Sequence, residues 1–312
     1  MALPIYLSLT ERLWQHAYRA ICTAIFVFLV APILIVIPLS FNAEPYFTFT
    51  ERMLTFDPAG YSMRWYDSLL TFGMQAAEIP RDSSWWSDAW NNATWVKAAK
   101  NSIIIGFWAT ILATSLGTLA ALGLSRPEMP YRRIIMAILI SPMIVPIIII
   151  ATGLFFFYSN PCGMFGFSCG RLTATYLGVV MAHATLGIPF VIITVTATLT
   201  GFDQSLIRAS ASLGANPRVT FFKVIMPLIL PGIISGALFA FVTSFDEVVA
   251  VLFIAGPEQQ TIPRQMWTGI RDQISPAILA VATLLVIVSI SLLATVEILR
   301  RRSERLRGVT PH

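Results

Sequence analysis

Two neighbouring carboxylates, Asp246 and Glu247, interrupt an otherwise apolar stretch flanked by Phe239, Phe241, Phe245 and Phe253. An acid within a bilayer costs at least about 2.5–3.5 kcal/mol on insertion-based scales, so such a pair must face water or a partner group rather than lipid. Facing a water-filled path, a carboxylate lowers the barrier for a cation by direct charge attraction in a medium of reduced dielectric. Bonded to a neighbouring helix, it serves structure instead. Adjacent residues of a helix point about 100° apart, so on a continuous helix the two acids take different orientations, and Asp246, Glu247 and Phe245 are the candidates for lining a path.

Other chemistry is sparse. His16, His183 and His312 are far apart, and none has a cysteine at metal-ligand spacing. Among the cysteines, Cys22 lies in an apolar run, whereas Cys162 and Cys169 flank a short Gly-rich loop and are candidates for a local disulfide in an oxidising compartment. The sequence contains no Gly-x-x-x-x-Gly-Lys-Ser/Thr phosphate loop and no His-Glu-x-x-His. No catalysis, metal or cofactor of this chain's own is therefore expected.

The segment from Gly201 to Pro227 is the most structured of the polar stretches. Asp203 is a natural N-cap, and Leu206, Ala209, Ser210 and Leu213 recur at helical spacing on one small, mildly apolar face. Gly214 is a natural stop, after which Asn216 and Pro217 restart a second helix. The pattern predicts two short helices joined by a tight turn, either packed on the protein's own ends or presented to a soluble partner.

These groups must be held by a membrane scaffold. Of 312 residues, 56% are hydrophobic and only 12% are charged, which excludes an ordinary soluble domain. Six apolar segments, 21–41, 101–124, 134–158, 172–199, 228–255 and 276–299, each approach the ~20 residues that a span requires. Helix is the expected form of each, because backbone amides in lipid must be satisfied within the segment. Kinks are expected at Pro32, Pro38, Pro142, Pro146 and Pro189. The first apolar run is longer than the ~7–15 residues of a signal core, so it reads as a retained span.

Alternate connections differ in charge. The N-terminus, 125–133, 200–227 and 300–312 hold thirteen Lys and Arg, against eight in the longer set 42–100, 159–171 and 256–275. Under the positive-inside rule the first set, with both termini, is cytoplasmic. The outward loop 42–100 carries Trp65, Trp85, Trp86, Trp90 and Trp95, which suit either interfacial helices or a docking surface for an extracytoplasmic partner.

The 201–227 segment resembles the EAA loop of permease subunits of binding-protein-dependent ABC importers, where a Glu-Ala-Ala triplet is followed by a Gly and, thirteen residues later, by a Pro. Here Arg208-Ala209-Ser210 stands for the triplet, with Gly214 and Pro227 at the family's spacing. Arg208 reverses the usual charge. Met63-Arg64-Trp65-Tyr66, Ala182-His183-Ala184, Pro189-Phe190, Ser244-Phe245-Asp246-Glu247, Ile262-Pro263 and Met266-Trp267 resemble the spermidine/putrescine subgroup.

The resemblance implies an all-α, polytopic type I importer permease with about six transmembrane helices. It is organised as a cytoplasmic N-terminus 1–20, a transmembrane domain 21–299 with outward loop 42–100 and coupling loop 200–227, and a basic tail 300–312. It further implies a bacterial inner-membrane location. The expected partners are ABC ATPase subunits that bind the ATP, a second permease subunit in a heterodimer, and a periplasmic solute-binding protein, with no nucleic acid. Coupling falls to Arg208, Ala209, Ser210, Gly214 and Pro227. Polyamine is the leading solute; an opine or another amine-bearing solute, and a secondary transporter, are the alternatives.

Overall fold

The computed structural model describes residues 8–78, 80–126, 128–163, 170–200, 203, 205–272 and 275–306, without the side chains of 9, 272, 292, 293 and 295–306. Helices run in the order α1 (Leu9–Leu39), α2 (Glu51–Leu54), α3 (Arg64–Thr71), α4 (Ser83–Asn92), α5 (Thr94–Leu124), α6 (Arg132–Ile144) and α7 (Ile147–Ser159). They continue as α8 (Tyr176–Thr200), α9 (Ser205–Ser212), α10 (Pro217–Thr220), α11 (Met226–Phe245), α12 (Val249–Ile254), α13 (Ile262–Asp272) and α14 (Ala277–Leu306). Among the described residues the only extended pairing is an isolated bridge between Asn42 and Tyr61. Two compact units emerge, Met1–Ala77 with Gly269–His312, and Glu78–Thr268.

In the first unit, α1 starts before its apolar run, at a reciprocal cap. The Ser8 hydroxyl accepts from Glu11 N–H at 3.3 Å, and the Glu11 carboxylate accepts from Ser8 N–H at 2.8 Å. After α1 the chain is gathered by Asn42, whose Nδ2 donates to the carbonyls of Tyr46 and Thr48 at 3.0 Å each. Trp65 Nε1 donates to Asn42 O at 2.7 Å, Arg64 donates to Ala43 O at 2.9 Å, and the Tyr66 hydroxyl lies 2.7 Å from Ser40 Oγ. The Met63–Tyr66 run therefore clamps the segment that leaves α1. Helix α14 packs on both α1 and α3.

In the second unit, α5, α8 and α11 pack on one another. Small residues make this possible. Ala109, Ala113, Gly117 and Ala121 form a stripe on α5, and a Cβ at Gly117 would stand 2.7 Å from that of Val191 on α8. A Cβ at Gly187 would lie 3.0 Å from that of Ala240 on α11. Lipid offers no hydrophobic drive between helices, so close backbone approach and dispersion contacts hold such a core. One buried cluster joins Ala113, Ala184, Val191, Ile229 and Ala240, and a second joins Ile105, Val179, Ala182, Val251 and Ile254. The uninterrupted helices α5 and α8 contribute to both clusters, whereas α11 lies in the first and α12 in the second.

Among the described residues four helices are long and apolar enough to cross a bilayer, Thr10–Leu39, Thr94–Leu124, Tyr176–Thr200 and the continuous run Pro217–Phe245, and the count rises to five if the bent pair α6 and α7 is one span. Ala277–Ser291 is a shorter apolar helix. Two of the segments expected as single helices are corrected. The 134–158 segment bends by 104° between α6 and α7, because Val145 precedes Pro146 and is held extended at ψ 137°. The 228–255 segment stops at Phe245 and resumes only at Val249.

Candidate coupling hairpin and helix break

The hairpin is built from local codes. Asp203 accepts from the Ser205 hydroxyl at 2.6 Å and from Ser205 N–H at 2.8 Å. Those two bonds, the hydroxyl's foremost, hold its carboxyl below the usual range. At the end of α9, Ala215 N–H donates to Ser210 O at 3.0 Å and Gly214 N–H to Ala211 O at 2.9 Å, which is the Schellman pattern. Gly214 sits at φ +78°, where a side chain would be strained. Asn216 Oδ1 then accepts from Val219 N–H at 2.9 Å, with Pro217 first in α10.

Inside the turn, Ser210 and Thr220 are buried and their hydroxyl oxygens lie 2.9 Å apart, tying the two arms. Of the four residues expected on one face of α9, Ser210 is thus the one turned into the hairpin. Arg208, Ala209 and Gly214 are exposed, as are Leu206, Leu213, Val219 and Phe222, and Leu213 reaches 88% exposure. Gly201, Phe202 and Gln204 lie outside the described residues.

The second arm does not end at Pro227, as the loop boundary implied. A π-helical turn, Phe221–Ile225, carries α10 directly into α11, and Pro227 occupies the first turn of α11. Met226 N–H donates to Phe221 O, five residues back. Proline has no N–H and crowds the carbonyl four residues before it, and the wider π turn accommodates both constraints.

At the far end of α11, four successive residues do four different things. Ser244 Oγ lies 2.7 Å from His183 Nδ1 of α8, both residues being buried. Phe245 stacks on Phe241 with ring centroids 5.6 Å apart. Asp246 N–H makes the last helical bond, to Val242 O at 3.0 Å, and its carboxylate is exposed. Glu247 is 7% exposed and accepts from Ala250 N–H at 2.8 Å, capping α12. The two acids do diverge, but because the chain leaves the helix between them rather than by helical rotation.

Helix α12 is held at both ends. Arg264 donates to the carbonyls of Ala255 at 2.9 Å and Gly256 at 3.1 Å, just past its C-terminus. A carboxylate at the positive end of the helix dipole and a guanidinium at the negative end stabilise so short a helix. The connection beyond it is fastened by Asn101, whose Nδ2 donates to the carbonyls of Glu258 at 2.8 Å and Gln260 at 2.9 Å. Asn101 Oδ1 accepts from the Tyr176 hydroxyl at 2.9 Å, and Ser102 Oγ accepts from Ile262 N–H at 2.8 Å. Sequence reasoning missed this group; its signal was a polar Asn-Ser pair opening the apolar 101–124 run.

Among the tryptophans of 42–100, Trp85 and Trp95 are buried and Trp65 bonds Asn42, leaving Trp86 and Trp90 exposed one turn apart on α4. Cys162 is disulfide-bonded, while Cys169, its expected partner, lies outside the described residues. Among the described residues no group of three or more His, Cys, Asp or Glu could hold a metal ion.

Residues 113–305, which contain both the hairpin and the break, match the family described as the binding-protein-dependent transport system inner membrane component. The chain belongs to that family. This permease is 28% identical over 285 residues to the spermidine/putrescine transport system permease protein PotC of Haemophilus influenzae, covering 91% of this chain and 96% of that one. It is 30% identical over 291 residues to the putrescine transport system permease protein PotI of Escherichia coli K12, covering 91% of each. Its fold is shared, with a TM-score of 0.63 at 15% identity, by a bacterial ABC transporter involved in the import of the acidic polysaccharide alginate, across 96% of this chain and 99% of that one. The permease is a multi-pass membrane protein.

Proposed function

We propose that the chain is the transmembrane permease subunit of an ATP-driven importer of polyamines such as spermidine and putrescine. The observation that carries this is its similarity, along 91% of its length, to two proteins named for those solutes. Asp246 adds support: an exposed carboxylate where a helix breaks in apolar surroundings is suited to attract a solute's ammonium groups.

In this reading ATP is bound by separate ATPase subunits, and a second permease subunit and a periplasmic binding protein complete the importer. Both termini and the 200–227 hairpin face the cytoplasm, as their greater density of Lys and Arg favours. Closure of the ATPases grips the hairpin at Arg208 and Ala209 of α9 and at Gly214 in the turn. The helical run Pro217–Phe245 has 29 residues, about 43 Å at 1.5 Å per residue, so displacement of the hairpin reaches the break at Asp246 without crossing a loop. Nucleotide drives the change only as far as it binds one state better than the other. The test is radiolabelled putrescine uptake by cells lacking this chain, with and without its restoration. Restored uptake that unlabelled spermidine suppresses is expected, and polyamine entry indifferent to the chain would remove the assignment.

A further inference from the structure

The Asp246 carboxylate sits at the ragged end of a helix, where the last turn ordinarily frays and a side chain's direction is loosely held. Here that turn is tied down from one side. Ser244, two residues earlier, is buried, and its hydroxyl lies 2.7 Å from Nδ1 of His183. His183 is 1% exposed on α8, which runs past this level without a break. From another side, α5 comes close: a Cβ at Gly106 would lie 3.2 Å from the Phe241 ring and 3.8 Å from Ser244 Oγ. The other ring nitrogen of His183, Nε2, is buried and makes no hydrogen bond.

His183 also stands between the two buried clusters. Its neighbour Ala182 belongs to the cluster containing α12, and its neighbour Ala184 to the cluster containing α11. The imidazole is therefore at the level where the chain gives up α11, exposes Asp246 and turns Glu247 inward to cap α12.

We infer that His183 is a positioning residue for solute selection: through Ser244 it fixes the last turn of α11 and thereby aims the Asp246 carboxylate at the ammonium group of a passing cation. This rests on the reading of Asp246 given under the proposed function. His183 touches no solute in this scheme; it acts only through the two residues that follow from its hydrogen bond.

The test uses the complete importer and measures initial rates of putrescine uptake. His183→Ala and Ser244→Ala are each expected to raise the KM for putrescine roughly three- to tenfold, the scale of one lost buried hydrogen bond, with maximal rate per assembled complex little changed. His183→Asn keeps a polar atom near the Nδ1 position and should stay within about twofold of the parent, on the same scale. In an Asp246→Asn background, His183→Ala should add no further rise in KM. A His183→Ala effect confined to the amount of assembled complex or to maximal rate, with Ser244→Ala leaving KM unchanged, would overturn the inference. So would failure of His183→Asn to restore KM, or a full additional effect on top of Asp246→Asn. If Asp246→Asn itself leaves the putrescine KM unaltered, or the parent importer does not move putrescine, the functional reading fails first and the inference falls with it.

Discussion

The permease interrupts its helices with polar residues in two places near the ends of α11, and the two interruptions are built on different principles. At the hairpin, every turn is written in adjacent residues: Asp203 with Ser205, Gly214 at φ +78°, and Asn216 followed by Pro217. At the 246–248 break there is no glycine or proline. The break is held instead by one local cap, Glu247 on α12, and by two distant bonds, Arg264 at the other end of α12 and His183 to Ser244 in the last turn of α11. A locally coded hairpin keeps its shape while exposed to a partner, whereas a break held by long-range bonds depends on the packing around it.

The largest effect is expected from Gly214→Val, which places a β-branched side chain in the left-handed region at a cost of about 1–2 kcal/mol or more. Co-purification with the ATPase subunits and solute uptake should both be lost, and retained binding would mean that the turn's shape is not what the partner reads. Glu247→Ala removes the cap of α12 and should lower stability by about 1–2 kcal/mol, seen as a lower melting temperature of the assembled complex. Glu247→Gln, which keeps an acceptor oxygen, should melt close to the parent; equal losses in both variants would show that charge rather than capping matters.

Asp246→Asn should leave the melting temperature unchanged while raising the KM for putrescine several-fold, the scale of an attraction of about 1 kcal/mol between well-hydrated charges. Adjacent acids with opposite phenotypes would sharpen the contrast, and a shared phenotype would erase it. The smallest effect belongs to Ser210→Ala, which removes the bond to Thr220 at a net cost of about 1 kcal/mol. Substrate-stimulated ATP hydrolysis should fall modestly, with binding of the ATPase retained.

The same contrast explains what could be read in the sequence. The hairpin was legible because Gly, Asn-Pro and Asp carry strong backbone preferences at fixed offsets. The apolar segments were legible because a bilayer demands length and composition. The bend at Pro146 was anticipated as a kink, but its 104° angle depends on where α7 packs, against α12. The end of α11 was hidden, since Phe245-Asp246-Glu247-Val248 contains no breaker and the residues that fasten the two sides of the break, His183 and Arg264, are 61 and 17 positions from Ser244 and Glu247. The Asn101 fastening was hidden for the same reason, its partners being 75 to 159 positions away.

The central claim, that this permease is moved through its hairpin by separate ATPases and does not drive transport itself, is tested most directly in proteoliposomes. Radiolabelled putrescine should accumulate only when the permease pair, the ATPase subunits, the binding protein and ATP are all present, and Gly214→Val in this chain should abolish it. Accumulation driven by an ion gradient across vesicles that hold this chain alone would contradict the claim.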